Sequence, residues 1–346
     1  MVFAPGTDAL VCPYCANETR IPASSEGVVE QDFLETLAET LGADAATQAV
    51  PAVSCQSCAA LVEPSPSHES FPCPYCGSSI VARELSQRLI KPQAVLPFTV
   101  DRQTATRLFR KWIDKLWFAP NALKKMARLD GRLQGLYTPY WTYDSSTLTR
   151  YTGQRGEEYT VTRTRTVRRD GKMVQERYTE VRVRWYPAAG TVARSFDDML
   201  VVGSTSLPRS LAEELEPWDL ENLVDYADEY LSGFTAERYQ VDVRAGWERA
   251  QERMQPLIES DVRRDIGGDQ QRIHTLRTSH RDVTFKHVLL PMWICSYRYK
   301  ERIYRFLVNA RTGEIQGQRP WSWVKIALTV LAVTTAVFLL VSYVSR

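Results

Sequence analysis

Six of the seven cysteines fall into three C-x-x-C pairs, Cys12/Cys15, Cys55/Cys58 and Cys73/Cys76, and Cys295 stands alone. A two-residue gap lets both thiolates of a pair face one tetrahedral ion. Two such knuckles, brought together by a hairpin, close a four-thiolate site. The run Cys55-Gln-Ser-Cys58, fourteen residues, then Cys73-Pro-Tyr-Cys76-Gly77 has this spacing. Pro64, Pro66 and Pro72 in the spacer mark a turn-rich hairpin, and Gly77 supplies the backbone freedom needed after a knuckle. Cys55, Cys58, Cys73 and Cys76 are therefore expected to hold one structural Zn²⁺. A closed site of this kind has no open position for substrate. Redox chemistry at a single C-x-x-C is the competing reading, and four cysteines at ribbon spacing argue against it.

Cys12-Pro-Tyr-Cys15 is harder to complete, because 39 residues separate Cys15 from Cys55. The stretch from Phe3 to Val11 reads as the last hairpin leading into a second knuckle. The first knuckle of that ribbon would lie before Met1, so either the ribbon is degenerate or the start is further upstream. Completion by His68 or by a partner chain is the other reading. One ion is expected, two if the first ribbon is complete. No basic, apolar leader opens the chain, so the pairs read as metal ligands in a reducing compartment rather than as disulfides.

The elements that carry these residues are set by charge and periodicity. Of 346 residues, 1–82 carry one basic side chain, Arg20, against ten acids, a net of −9. Residues 83–346 hold 42 Lys/Arg against 31 acids, a net of +11. Such asymmetry suggests different partners for the two regions. Val29, Phe33, Leu34, Leu37 and Leu41 recur at helical spacing with acids on the other face, predicting a helix over 29–42 that packs on the ribbon or docks a partner. The class is α+β. The expected order is an acidic ribbon region over 1–82 (half ribbon 1–20, helix 29–42, full ribbon 52–82), α+β units over 83–205 and 206–320, and a tail over 321–346.

Within the body, helices are expected at Thr104–Trp117, Ala122–Leu129, Arg209–Leu215, Trp218–Leu231 and Val243–Ile266, the last bent at Pro256 and closed by Gly267-Gly268. Asp170-Gly171 predicts a hairpin of Tyr159–Arg169 and Met173–Trp185. Further strands are expected at Thr284–Leu290, Met292–Tyr299 and Ile303–Asn309. Pro97-Phe-Thr-Val-Asp before a helix and Leu136-Tyr-Thr-Pro-Tyr-Trp opening a strand have faint echoes in Tyr239-Gln-Val-Asp and Leu289-Leu-Pro-Met-Trp. These imply two related helix-plus-antiparallel-sheet units.

Ile326 to Val344 is an almost wholly apolar run of 19 residues. As a helix it would be roughly 28 Å long, close to the ~30 Å bilayer core. Trp321, Trp323 and Tyr343 sit at its ends, where aromatic belts lie. Arg319 and Lys325 precede it and only Arg346 follows, which favours a cytoplasmic body on a single-pass tail anchor in the inner membrane. A buried core helix is the alternative.

The predicted hairpin is rich in arginine: Arg163, Arg165, Arg177, Arg182 and Arg184 at alternating positions place many on one face. A solvated outer face, contact with anionic lipid headgroups and contact with nucleic acid compete. Nucleic acid is disfavoured, because residues 21–82 contain no Lys or Arg to meet phosphates. His274, His280 and His287 are expected to be satisfied or exposed rather than ligands, and Cys295 to be core. Asp265-Ile-Gly-Gly-Asp reads as a helix end. No G-x-x-x-x-G-K-[ST], H-E-x-x-H or G-x-S-x-G occurs, and no catalytic residue is assigned.

Taken together, the chain resembles a bacterial family of membrane-attached zinc-ribbon proteins. The similarity rests on the two paired C-x-x-C motifs, Ile90-Lys-Pro-Gln, Leu116-Trp-Phe-Ala-Pro-Asn, Tyr140-Trp-Thr-Tyr-Asp, Glu216-Pro-Trp-Asp-Leu, Arg264-Asp-Ile-Gly-Gly-Asp and Phe306-Leu-Val-Asn-Ala-Arg-Thr-Gly-Glu. Members are often labelled TFIIB-type zinc-ribbon or primosomal replication-helicase-like proteins. No nucleotide-binding motif here supports the helicase label. Relatives look like partners of SPFH (stomatin/flotillin-type) and phage-shock membrane-stress proteins. The resemblance implies a non-enzymatic adaptor that docks a protein partner at the membrane. The alternative is a nucleic-acid-binding or replication accessory protein using the arginine hairpin.

Overall fold

The computed structural model describes residues 1–22, 27–41, 47–62, 70–81, 85–120, 133–169, 172–299 and 302–344. In chain order its strands begin with β1 (Val2–Phe3), β2 (Ala9–Val11), β3 (Glu18–Arg20) and β4 (Gln31–Asp32), followed by helix α1 (Phe33–Leu41). Then come β5 (Thr47–Ser54), β6 (Leu61–Val62), β7 (Ser70–Pro72), β8 (Ser79–Val81), β9 (Leu85–Ile90), β10 (Ala94–Val95) and helix α2 (Arg102–Lys115). The long hairpin β11 (Gln134–Arg169) and β12 (Lys172–Val202) leads to α3 (Arg209–Glu213), β13 (Val224–Asp225), β14 (Thr235–Ala236) and α4 (Val243–Ile266). The chain closes with β15 (Gln270–Tyr299), β16 (Arg302–Asn309), β17 (Ile315–Gly317) and α5 (Trp323–Val344). The expected helix over 122–129 lies outside the described residues.

Three strands of 36, 31 and 30 residues, β11, β12 and β15, dominate the molecule. They pair antiparallel in the order β12-β11-β15. β15 accompanies β11 from Ile294↔Gln134 to Gln270↔Gly156. Beyond Gly156 only β11 and β12 continue, as a two-stranded ribbon from Glu157↔Arg184 to Arg169↔Lys172. Strands from both halves of the body thus share one sheet.

The sequence splits β15 at Pro291, but the strand runs through. The reason is local: β10 pairs with β15 at Val288 and Leu289, and β16 joins only from Met292. Pro291 falls between the two ladders, where its missing N–H breaks no bond. Pro139 on β11 does the same, lying between β14 at Tyr137 and β12 at Tyr140. A second departure is Trp218–Leu231, expected as a helix. It forms 3₁₀ turns at Leu220–Asn222 and Asp228–Leu231 around β13. Tertiary contacts override its helical spacing: Trp218 packs against Tyr140 with ring centroids 6.0 Å apart, Asp219 pairs with Arg311, and Val224 pairs with Val95.

Helices α2 and α4 cover one face of the sheet, and the four-cysteine ribbon with α3 covers the other. Phe109 and Ile113 of α2 pack with Tyr137, Trp293 and Phe306. Trp247, Met254 and Ile258 of α4 pack with Trp141, Tyr143 and Phe285. Gly246 lets α4 sit this close, since a Cβ there would lie 2.3 Å from Tyr143 Oη. On the opposite face Leu136, Tyr140, Leu200 and Val202 pack with Val53, Val62 and Tyr75 of the ribbon and Leu211 of α3. Helices α2 and α4 are each capped by an aspartate: Asp101 Oδ1 accepts from Thr104 N at 2.7 Å, and Asp242 Oδ1 from Ala245 N at 2.8 Å. The indole of Trp293 donates to Val100 O at 2.7 Å and that of Trp141 to Val241 O at 2.8 Å, so each strand grips the residue before a helix cap. The acidic helix α1 starts later than expected because β4 pairs with β15. Its Phe33 packs on Trp247 and Tyr143 rather than on the ribbon. Helix α5 stands outside the body, with none of its apolar Trp323–Tyr343 span buried, so it is not a core helix.

Candidate metal centre

Cys55 and Cys58 sit in the turn from β5 to β6, and Cys73 and Cys76 in the turn from β7 to β8. The two turns have one geometry. Ala59 N donates to Cys55 O at 2.8 Å and Cys55 N to Ala60 O at 2.9 Å; Gly77 N donates to Cys73 O at 2.8 Å and Cys73 N to Ser78 O at 2.7 Å. Both need a left-handed residue after the knuckle, supplied by Ala59 at φ 58° and Gly77 at φ 74°. Across the pair, Cys55 Sγ lies 3.6 Å from Cys76 Sγ and Cys58 Sγ 3.6 Å from Cys73 Sγ; all four sulfurs lie within 4.8 Å of one another. A tetrahedral ion with bonds of about 2.3 Å to sulfur needs sulfurs about 3.8 Å apart, so the four thiols fit a metal ion. Burial pushes the Cys58 thiol up to about 11 and raises Cys73 as well. Burial acts on Cys76 too, but the Ser78 hydroxyl and amide, with Cys55 and Cys58, more than offset it and bring this thiol down to about 6. An incoming cation therefore meets a ready thiolate at Cys76 and displaces protons from Cys58 and Cys73.

The second knuckle is fastened to the body. Tyr75, wholly buried between Cys73 and Cys76, donates its hydroxyl to Glu237. Ser204 and Ser206 donate to the other carboxylate oxygen at 2.8 and 2.5 Å. Burial raises Glu237 to about 7. Ser296 Oγ donates to Tyr75 O at 2.7 Å, Arg305 Nε donates to the same oxygen at 2.8 Å, and Val62 bridges to Glu237. The four-cysteine ribbon is thus part of the main core. Nothing in its own sequence announces Glu237 as its counterpart.

Cys12 and Cys15 form a third knuckle between β2 and β3. Ala16 lies at φ 58°, Ala16 N donates to Cys12 O at 2.9 Å, and Cys12 N donates to Asn17 O at 2.9 Å. Among the described residues no third metal-type donor joins this pair. His68 lies outside the described residues. Here Tyr14, the counterpart of Tyr75, is 97% exposed.

The hairpin arginines divide by face. Register puts Arg163, Arg165, Arg182 and Arg184 on the face that α4 covers further down, and Arg177 opposite Thr164 on the other. Three of them meet glutamates of the same hairpin: Arg163–Glu180 at 3.0 Å, Arg165–Glu176 at 2.9 Å and Arg182–Glu180 at 3.3 Å. Arg184 lies over the Tyr159 ring at 5.1 Å. Sequence reasoning missed Arg150 and Arg277, exposed and directly paired across β11 and β15 on the face away from α4, with no ion pair among the described residues. It also missed the Asp144, Asp197 and Asp198 group. Lys286 Nζ stands 2.8 Å from Asp198 and 3.1 Å from Glu30, so this group is an ion-pair network. The histidines do not converge: His287 is buried with Nδ1 3.0 Å from Ile90 O, His280 packs edge-on to Trp247, and His274 is exposed. Cys295 is core. Asp265 accepts the Tyr151 hydroxyl at 2.5 Å and Gly267-Gly268 close α4 at positive φ, so this glycine-rich run is a helix end.

With the site in view, comparison with known proteins adds one relationship. The chain is similar to the uncharacterized protein YdjG of Bacillus subtilis (strain 168). The two are 28% identical over 277 residues, 78% of this chain and 75% of the relative. No family model matches, and no solved structure matches.

Proposed function

We propose that the chain is a non-enzymatic, membrane-anchored zinc-ribbon adaptor, with its body on the cytoplasmic face of the inner membrane, that docks a protein partner of the SPFH or phage-shock membrane-stress type. The supporting observation is the pairing of an apolar helix with none of its span buried, α5, with a four-thiolate centre built into the body's core. Four thiolates suit Zn²⁺ and fill its coordination shell, leaving no position for water or substrate. The body is read as two related units. The matching aspartate caps, indole bonds and inter-ladder prolines of Pro97–Trp141 and Tyr239–Trp293 support that reading.

The knuckle holding Tyr75 is used up against the body, so the docking surface falls on what the acidic module leaves exposed: Tyr14, at 97%, and Leu34 of α1, at 72%. Purification of the full chain in mild detergent with mass spectrometry should recover a partner of that type. Tyr14→Ser with Leu34→Ser should lose it while metal content holds. Undiminished recovery by that variant would count against the acidic module as the docking element.

A further inference from the structure

At the point where α5 begins, a cavity of about 670 Å³ opens beside the body. Its lining includes Arg302 and Tyr304 of β16, Arg319, Trp321, Ser322 and Trp323, and among the described residues it contains no acidic side chain. The floor is held in place by several contacts. The Arg319 guanidinium lies over the Trp321 ring at 4.5 Å, and that ring packs beside Phe118 at 6.4 Å. Ser322 N donates to Phe118 O at 2.8 Å, while Lys325 Nζ donates to Trp117 O at 3.1 Å and Ala119 O at 2.8 Å. The apolar span Trp323–Tyr343 leaves directly from the rim. Two cations, an aromatic rim and a hydroxyl therefore sit at the mouth of an apolar helix. A molecule matching both halves carries a phosphate at one end and acyl chains at the other.

We infer that this cavity binds the headgroup of an anionic phospholipid, with Arg302 and Arg319 on its phosphate and its acyl chains alongside α5. The inference rests on α5 spanning a membrane. Guanidinium forks suit phosphate oxygens, and the amphipathic indoles suit the level at which headgroups meet hydrocarbon. Selectivity follows from charge. A zwitterionic headgroup brings its own cation towards two arginines, whereas an anionic one does not.

The test uses the full chain in mild detergent, with thermal unfolding followed in mixed micelles of phosphatidylglycerol or phosphatidylcholine. Phosphatidylglycerol should raise the midpoint and phosphatidylcholine should not. Arg302→Gln with Arg319→Gln should weaken phosphatidylglycerol binding roughly tenfold or more, without moving the midpoint in phosphatidylcholine. Arg302→Lys with Arg319→Lys should keep part of the effect. Equal shifts with both lipids, or an undiminished shift in the glutamine variant, would overturn the proposal. So would an equal shift with glycerol phosphate alone, which would assign the cavity to a soluble anion. The anchor is read separately by alkaline carbonate extraction of membranes. Release there sinks the spanning reading, while retention without lipid selectivity sinks only the headgroup site.

Discussion

The Tyr75 hydroxyl, between two of the metal-type cysteines, is donated to the Glu237 carboxylate 162 residues further along the chain. The bond joins the ribbon to the sheet inside a buried polar cluster with Ser204 and Ser206. Removing the hydroxyl leaves a buried carboxylate short of one donor, a loss of about 1–3 kcal/mol. Tyr75→Phe is therefore expected to lower the unfolding midpoint and to speed metal loss to a competing chelator. A variant with parental chelator resistance would show that the knuckle does not depend on this seam.

Two buried groups pull stability in opposite directions with pH. Glu237 keeps its proton in the folded state to about pH 7 but ionises near 4.5 when unfolded, so its contribution falls as pH rises through that window. His287, whose buried ring is held down to about 4 against an ordinary 6.5, makes stability rise with pH between those values. The slopes oppose each other between about pH 4.5 and 6.5, each approaching 1.4 kcal/mol per pH unit. Relative to the parent, Glu237→Gln should gain stability as pH rises through this range and His287→Phe should lose it. Denaturation midpoints at a series of pH values decide the matter, and parallel pH profiles for all three proteins would refute it.

Metal content should follow the cysteine geometry. Cys73→Ser is expected to abolish tight metal binding and to lower stability sharply, because its thiol closes the cluster and lies in the main core. Cys12→Ser with Cys15→Ser is expected to leave metal content unchanged. Elemental analysis of the purified proteins is the check, and a drop in the second variant would assign an ion to the first knuckle.

Arg150 and Arg277 face each other across two strands, with no ion pair to either among the described residues. Like charges at such a position destabilise, and opposite charges contribute roughly 0.2–1 kcal/mol. Arg277→Glu should therefore raise the unfolding midpoint, whereas Arg165→Gln, which breaks an exposed ion pair with Glu176, should shift stability by less than about 1 kcal/mol. A destabilised Arg277→Glu protein would mean that the arginine packs against something its register does not reveal.

Features written in local spacing were legible from sequence. Two cysteine pairs with two-residue gaps announce their ribbon, an almost wholly apolar run of nineteen residues announces α5, and Asp242 with Gly267 brackets α4. Features that depend on neighbours were not. Pro291 reads as a strand break until β10 and β16 are seen to leave a gap around it. Trp218–Leu231 has helical spacing, yet Tyr140, Arg311 and β10 claim its side chains and backbone. Arg163, Arg165 and Arg182 read as a charged patch until register sets them beside Glu176 and Glu180. Glu237 carries no local mark at all.

The length of β11 has a further consequence. Thirty-six residues in one strand give a contour of roughly 120 Å. The end near Gln134 belongs to the base from which α5 departs, and the other end carries only the bare two-stranded ribbon. The strand is a ruler fixed at one end, setting how far from the body the end of the ribbon can be presented. Its graduations come in twos. Removing two residues from each arm of the ribbon shortens the reach by about 7 Å and keeps every side chain on its face, whereas removing one from each turns the tip over.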